Sequence, residues 1–276
     1  MLNTNLIYLS PSGGTKKVAE LIEKNLNSYS KVSHTNLFGK SFQEIEDFNF
    51  EQIKDVDMIG VGTPVYEFHM LKPIKLFLKG IPEVNNGKEK RPKVFLFATY
   101  GNVSSGKTLL NIAKILNNKN YQLIGALKLV APHFYEESDY FPEQKIVDLV
   151  SQFVQLLENR VKNPPEWEEM KKNLNYQKRL IKLLNPLVKS PFSNAVFTKI
   201  KINHELCNEC ALCVKNCPTG AIDLNTGPSI NKDCIKCYNC VKVCPTGAIS
   251  SKLDKLKKRI SKLQDLFHET PENEIY

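Results

Sequence analysis

The sequence predicts an α/β protein in two parts, a doubly wound parallel sheet followed by a small α+β domain. Two observations support this prediction. In residues 1–160, short apolar runs alternate with amphipathic stretches, which is the pattern of strands joined by helices. All eight cysteines of the 276 residues lie between Cys207 and Cys244, so the second part is a short segment organised around its thiols.

Five runs are the predicted strands of the parallel sheet. In chain order they are Leu6–Leu9, Lys31–Leu37, Asp57–Gly62, Lys93–Ala98 and Leu123–Val130. The second run is mostly polar and predicts a weak strand, whereas apolar strands like the other four suit a parallel sheet, because helices cover both of its faces. The helical spacing of apolar residues places crossover helices at residues 70–79, 105–117 and 143–160, and a further helix follows the first strand.

The cysteines form two copies of the string C-x2-C-x2-C-x3-C-P, and Thr-Gly-Ala-Ile follows each copy. This is the ligand spacing of proteins that hold two [4Fe–4S] clusters, in which the fourth cysteine of each copy serves the other cluster. The first predicted ligand set is therefore Cys207, Cys210, Cys213 and Cys244. The second predicted set is Cys217, Cys234, Cys237 and Cys240.

Other uses of clustered thiols fit this segment less well. Zinc sites usually show two separated cysteine or Cys/His pairs, and disulfide scaffolds belong to secreted proteins. The N-terminus has no basic start and only a short apolar run, so it does not resemble a secretory signal. No apolar stretch approaches the roughly 18 residues of a transmembrane helix. We therefore expect a cytoplasmic protein without a transmembrane segment.

The cysteine segment, residues 200–250, closely resembles a bacterial-type ferredoxin with two [4Fe–4S] clusters. The resemblance covers the whole segment, and it implies that the two clusters carry one electron each. Their potentials would depend on burial and on hydrogen bonds to sulfur.

Three polar loops follow the first, third and fourth predicted strands. In open parallel sheets, ligands bind beyond the carboxyl ends of the strands, so these loops are candidates for one site. The loop residues are Ser10, Ser12, Gly13, Gly14 and Thr15; Pro64, Val65 and Tyr66; and Thr99, Tyr100, Gly101 and Asn102. Hydroxyls and glycine N–H groups before a helix suit a phosphate, although an ordinary helix N-cap turn is the alternative for the first loop.

Together the three loops, within residues 2–155, resemble the FMN-binding loops of flavodoxins. The first loop resembles the flavodoxin phosphate loop Thr/Ser-x-Thr-Gly-x-Thr, with Gly14 where Asn is usual. The resemblance implies the strand order 2-1-3-4-5 and FMN as a cofactor. It also implies that Tyr100 stacks on the flavin, that Pro64–Tyr66 covers the other side, and that Gly101 and Asn102 contact the pyrimidine edge. Tyr66 could instead be a surface or dimer-contact aromatic residue.

Four regions are expected along the chain. Residues 1–160 form the flavodoxin-like domain, 161–199 a connector, 200–250 the ferredoxin domain, and 251–276 a charged helix with a tail. The connector has eight basic and three acidic residues, so most of the net charge of +9 lies there and nucleic-acid binding is not predicted. Its leucine-rich middle is either a helix packed between the domains or a basic amphipathic helix for a membrane surface or a partner.

This domain order resembles flavodoxin–ferredoxin fusion proteins of anaerobic bacteria and archaea. The resemblance implies an iron–sulfur flavoprotein that moves electrons between its clusters and FMN. The alternative is an FMN-dependent reductase of a small molecule, with His133–Tyr135 and Tyr66 near the substrate. A regulatory or oxygen-sensing role lacks a DNA-binding helix pair, and no hydrolytic or transferase site is evident. The expected partners are a ferredoxin or oxidoreductase, a small-molecule acceptor, or a second copy in a homodimer.

Overall fold

The computed structural model describes residues 1–84, 91–136, 140–177, 197–225 and 227–276. Its main sheet begins with β1 (Leu2–Tyr8), β2 (Ser30–Asn36), β3 (Met58–Tyr66), β4 (His69–Met70), β5 (Lys93–Tyr100) and β6 (Gln122–Val130). The long strands pair in parallel in the order β2-β1-β3-β5-β6. This is the predicted order 2-1-3-4-5, so the fold class is confirmed. The short β4 is an addition that pairs antiparallel with the end of β3.

Six helices accompany this sheet in the described part of the first 177 residues: α1 (Gly14–Leu26), α2 (Phe42–Glu46), α3 (Lys72–Gly80), α4 (Thr108–Asn118), α5 (Gln144–Lys162) and α6 (Trp167–Asn173). Neighbouring residues of each strand point to opposite faces, so the sheet has two cores. On one face, Ile7 belongs to the core that contains residues of α3 and α4. On the other face, Leu6 packs with residues of α1 and α5. The sheet is therefore doubly wound.

The cysteine segment forms a small domain of short elements. They are β7 (Lys201–Ile202), α7 (Leu212–Lys215), β8 (Ile222–Asp223), β9 (Ser229–Ile230), α8 (Asn239–Val243) and β10 (Ile249–Ser250). β7 pairs with β10 and β8 pairs with β9, both antiparallel. Ile222 and Ile249, which are equivalent in the two sequence copies, are both buried in its core. This internal symmetry follows the repeat in the sequence.

The end of the chain returns to the main sheet. After α9 (Leu253–Phe267), the strand β11 (Glu274–Ile275) pairs antiparallel with β6, and the sheet then has seven strands. A charged helix was predicted here, but the strand was not. Two residues are too short to show the alternation by which strands are predicted.

A buried ion pair fixes this returning tail. The side chains of Lys128 and Glu269 are 1% and 7% exposed, and Nζ of Lys128 lies 3.3 Å from Oε2 of Glu269. The Glu269 carboxylate also accepts hydrogen bonds from the backbone N–H of Ser105, at 2.8 Å, and from the amide of Gln177, at 2.6 Å. The tail, β6, the loop before α4 and the start of the connector are thus held by one carboxylate.

Only part of the connector is described. It contains α6, whose Met170 is buried in the core on the α3 and α4 side. The helix predicted in its leucine-rich middle, in either of its two interpretations, falls mainly on residues 178–196, which lie outside the described residues. In the part of the chain that the structure describes, no helix combines the length and apolar character needed to cross a membrane.

Candidate cluster and flavin sites

The two cysteine loops have the same backbone conformation. In the first copy, Glu209 and Ala211 have φ values of 54° and 59°; in the second copy, the equivalent Lys236 and Tyr238 have 54° and 60°. Non-glycine residues seldom adopt this left-handed conformation, because the Cβ atom crowds the backbone. Its repetition at both places curls each loop tightly, so that the three closely spaced thiols of each copy can face one centre.

Each loop surrounds a cavity together with one cysteine of the other copy. The first cavity is lined by Cys207, Cys210, Cys213 and Cys244. The second cavity is lined by Cys217, Cys234, Cys237 and Cys240. All eight are free thiols. The structure therefore brings together the two sets of four that the sequence grouped by crossing the fourth cysteine of each copy.

The surroundings of the sulfurs suit metal-bound thiolates. The backbone N–H of Ala221 donates to Sγ of Cys217 at 3.1 Å, and that of Ile249 donates to Sγ of Cys244 at 3.5 Å. Such donors stabilise sulfur that carries negative charge. Burial raises the pKa of Cys237 to about 12 and that of Cys240 to about 12. Buried thiols of this kind give up their protons when they bind metal, so soft cluster iron fits this donor set.

The first polar loop has the geometry of an anion site at the start of a helix. Gly13, with φ of 88°, turns the chain from β1 into α1, which begins at Gly14. Ser10 is buried, and its Oγ accepts a hydrogen bond from the N–H of Lys16 at 3.0 Å. Ser12 is half-buried beside it. Hydroxyls and glycine N–H groups thus lie at the positive end of the α1 dipole.

The first and third loops are joined directly. The hydroxyls of Thr15 and Thr99 are 2.8 Å apart, and both residues are buried. Two of the predicted loops are in fact strand ends, because β3 extends through Pro64, Val65 and Tyr66, and β5 extends through Tyr100. The structure thus brings the three predicted segments together at the carboxyl ends of β1, β3 and β5, which we call the rim edge of the sheet.

Two polar atoms at this edge are buried without a partner among the described residues. They are Oη of Tyr66 and Oδ1 of Asn102. Burial raises the pKa of Tyr66 well above its usual range, so its hydroxyl keeps its proton. Buried polar groups are nearly always hydrogen-bonded in folded proteins. Tyr66 belongs to the second segment predicted to contact FMN, and Asn102 belongs to the third.

Tyr100 is covered by the C-terminal tail. Its side chain is 3% exposed, and its hydroxyl donates to the backbone oxygen of Glu272 at 2.8 Å. The amide of Asn102 also lies 3.5 Å from the Glu272 carboxylate. Stacking of Tyr100 on a flavin stays a prediction, and the tail would have to move for it to occur. No sequence motif indicates that the tail covers Tyr100.

The segment His133–Tyr135 is packed instead of open. The rings of His133 and Tyr135 stack at 4.8 Å, and the amide of Gln264 lies 3.3 Å from Nε2 of His133. Gly101 is required here, because a Cβ at this position would lie 2.2 Å from the His133 ring. Burial lowers the pKa of His133. The residue is enclosed at the rim and does not face an open substrate site.

The small domain packs against this edge of the sheet through residues next to the second cavity. The amide of Asn239 donates to the backbone oxygen of Pro11 at 2.7 Å, and Nζ of Lys242 donates to the oxygen of Phe134 at 3.0 Å. Tyr238, which lines the second cavity, stacks on Phe134 at 5.6 Å. Phe134 in turn contacts Tyr66 at 6.0 Å. We call this set of contacts between the two domains the joint. It was not predicted from the sequence, because no motif specifies which surfaces of the two domains meet.

Comparisons with known proteins match the cysteine segment to a family model. Residues 206–249 match the family model described as a 4Fe-4S dicluster domain. No curated protein matches the chain. The fold and the matched segment define an iron–sulfur protein of the electron-transfer class. In its architecture, the chain joins a flavodoxin-like α/β domain to a 4Fe-4S dicluster domain.

Solved structures similar to the chain align with a little over half of it. A flavodoxin from the domain Archaea is 19% identical over 59% of this chain and 100% of its own, with a TM-score of 0.43. Flavodoxin 1 from Bacillus cereus is 16% identical over 57% and 97%, with a TM-score of 0.42. Rubredoxin oxygen:oxidoreductase from Desulfovibrio gigas is 15% identical over 58% and 36%, with a TM-score of 0.45. The fold assignment rests on the strand order of the sheet itself.

Proposed function

We propose that this protein transfers electrons between two [4Fe–4S] clusters and an FMN bound at the edge of the flavodoxin-like sheet. One observation supports this proposal most strongly: Asn239, which lies between two residues that line the second four-cysteine cavity, donates a hydrogen bond to Pro11 in the first of the loops that resemble an FMN site. In this proposal residues 1–160 are the flavin domain and residues 200–250 the cluster domain. Both act on one chain, which keeps the two kinds of carrier at a high effective concentration.

The cysteines hold the clusters in the crossed arrangement. One cluster is bound by Cys207, Cys210, Cys213 and Cys244. The other is bound by Cys217, Cys234, Cys237 and Cys240. Cubane clusters pass single electrons at potentials set by burial and by hydrogen bonds to sulfur. The N–H groups of Ala221, Lys236 and Ile249 supply such hydrogen bonds to ligand sulfurs.

The rim segments hold the flavin. Ser10, Ser12 and the N–H groups of Gly13–Thr15 bind the phosphate, while Pro64–Tyr66 and Thr99–Asn102 flank the ring system. FMN supplies chemistry that the clusters lack, because it takes up two electrons together or one at a time. The unpartnered atoms of Tyr66 and Asn102 support this placement. The reductase alternative is less well supported, since His133 is enclosed by Gly101, Tyr135 and Gln264.

Metal and flavin analysis of the protein tests this proposal. We expect anaerobic reconstitution with iron and sulfide to give eight iron atoms per chain, and titration with FMN to saturate at one flavin per chain. A Gly13→Asp variant places a negative charge in the phosphate loop and should weaken FMN binding without changing the iron content. Eight iron atoms with no flavin uptake would overturn the flavin half, and a chain without iron would overturn the proposal altogether.

The proposed setting is the cytoplasm, where a reducing environment keeps cluster ligands as thiols. The proposed partner is another redox protein. A small-molecule electron acceptor and a homodimer are alternatives that the same purified protein can be used to examine.

A further inference from the structure

The two cluster sites face different surroundings. We infer that the site formed by Cys207, Cys210, Cys213 and Cys244 is the port at which a one-electron carrier protein docks, whereas the other site faces the flavodoxin-like domain. This inference rests on the proposed function and adds to it an order of the two sites and a surface for the partner.

The second site is enclosed by the main domain. Three of its cysteines are buried, and the residues that surround it make the contacts between the domains. The backbone N–H of Phe42 donates to the carboxylate of Asp233, next to Cys234, at 3.1 Å. The N–H of Gly39 donates to the oxygen of Pro218, next to Cys217, at 3.0 Å. Together with Asn239 and Lys242 of α8, these residues hold the second site against the main domain.

The first site is more open to solvent. None of its four cysteines is buried, and Cys210 is exposed. Three large apolar residues next to its cysteines in the chain are exposed: Leu206 at 49%, Leu212 at 39% and Val214 at 36%. We call these three residues the port patch. In the described part of the chain only six large apolar side chains are exposed, so half of them are concentrated beside one cluster site.

Solvent-exposed apolar side chains around a redox centre favour a docking role. Exposed apolar patches rimmed by polar residues mark contact sites on soluble proteins. Here Glu205, Glu209 and Lys215 are exposed at the border of the port patch and carry both signs of charge. Because the border is mixed in charge, we expect the partner to bring a small apolar face around its own cofactor. Interfaces between electron carriers are typically small and transient.

The occupant is therefore a one-electron carrier protein, such as a reduced iron–sulfur protein. In the docked complex, one electron leaves the carrier, which is oxidised by one unit. A cluster held by the first cysteine set would accept this electron and would be reduced by one unit. No bond forms or breaks, and no proton has to move.

Charge substitutions in the port patch test this inference. The reconstituted protein is mixed in a stopped-flow instrument with a pre-reduced, desalted ferredoxin with two [4Fe–4S] clusters, or with dithionite. We expect Leu212→Glu and Leu212→Lys both to lower the second-order rate with the ferredoxin about tenfold or more and to raise its Kd similarly, because each buries an unpaired charge in the contact. The dithionite rate should change less than about twofold, since a small reductant does not need the patch.

The use of both signs separates docking from electrostatic effects on the cluster. A change in cluster potential would have opposite directions for Glu and Lys, whereas loss of docking is the same for both. The matched control is Leu266→Glu on α9, because Leu266 is also a leucine and is 71% exposed away from the clusters. Leu206→Glu provides a second variant on the other side of the patch if substitution beside Cys213 lowers the iron content.

Three outcomes would overturn the inference. The first is an unchanged ferredoxin rate and Kd in the patch variants. The second is an equal loss in Leu266→Glu. The third is a wild-type dimer in sedimentation that the patch variants dissociate while their ferredoxin rate is unchanged. Failure of the proposed function is separate from these, because it would already show as missing iron or missing bleaching by dithionite in the unsubstituted protein.

Discussion

Four non-glycine residues shape the cysteine loops by adopting left-handed backbone conformations. They are Glu209, Ala211, Lys236 and Tyr238. Because Ala211 and Tyr238 occur at the same place in the two copies, the sequence repeat is also a structural repeat. Each loop contributes three of the cysteines that line a cavity, and the fourth cysteine of the other copy completes the set. The two cluster sites are therefore linked, and damage to one copy of the string affects both.

Pairs of cysteine substitutions distinguish the crossed ligand sets from uncrossed ones. In the crossed arrangement, Cys217 and Cys237 serve the same cluster, so the double variant Cys217→Ala/Cys237→Ala should keep about four iron atoms per chain. The double variant Cys210→Ala/Cys217→Ala removes a ligand from each site and should keep almost none. Iron analysis and EPR spectra of the reduced proteins measure both. If Cys210→Ala/Cys217→Ala kept the iron and the other variant lost it, the crossed assignment would be wrong.

His133 gives the rim a dependence on pH. Burial lowers the pKa of its imidazole, and the opposing effects of Glu136 and of the backbone of Gly101 are smaller. The unfolded chain binds a proton below about pH 6.5, whereas the folded chain resists it, so stability is present above this pH and is lost as the pH falls. We expect the urea midpoint of unfolding to be lower at pH 5.5 than at pH 7.5. The difference should be smaller in His133→Gln, because the glutamine side chain does not titrate. Equal losses in the two proteins would contradict this role.

At the scale of elements, the returning tail is the feature that extends the sheet. β11 adds an antiparallel edge strand to β6, and the buried pair of Lys128 and Glu269 holds it there. Nζ of Lys128 also lies 4.4 Å from the centre of the Tyr176 ring. Because Tyr176 stacks on Tyr276 at 4.9 Å, the connector and the tail support each other.

Removal of the buried carboxylate should be costly. Glu269→Ala leaves the Lys128 ammonium without its closest counter-charge, and breaking a buried pair in this way costs about 3–5 kcal/mol. Urea unfolding, monitored by far-UV circular dichroism, measures the change. The control is Glu20→Ala, which breaks an exposed pair with Lys16 and should change the free energy of unfolding by less than about 1 kcal/mol. A loss for Glu269→Ala as small as for the control would show that the pair does not hold the tail.

For the whole molecule, the features predicted from the sequence are those that repeats or periodic patterns encode. Such patterns predicted the apolar strands and the grouping of eight cysteines into two sets. The resemblance to flavodoxins predicted the order of the strands. The joint between the domains was not predicted, because it depends on side chains such as Asn239 and Asp233 that belong to no periodic pattern. The cover over Tyr100 was missed for a similar reason, since it is formed by Glu272, which lies 172 residues further along the chain.

The contacts between the two domains support the proposed order of electron transfer. Residues beside the second cavity contact the first polar loop and, through Phe134, the ring of Tyr66. The port patch lies beside the first cavity. Electrons supplied by a partner at the patch would therefore reach the flavin domain through the cluster domain.

Stopped-flow reduction of the flavin, with and without the clusters, tests the central proposal most directly. Protein loaded with iron and FMN is mixed anaerobically with a pre-reduced ferredoxin, and flavin absorbance near 450 nm is followed. We predict rapid bleaching in the intact protein and bleaching at least a hundredfold slower in Cys210→Ala/Cys217→Ala loaded with FMN, because the variant lacks both clusters. Equally fast flavin reduction in the two proteins would contradict the account, as would a flavin that stays oxidised while the clusters of the intact protein are reduced.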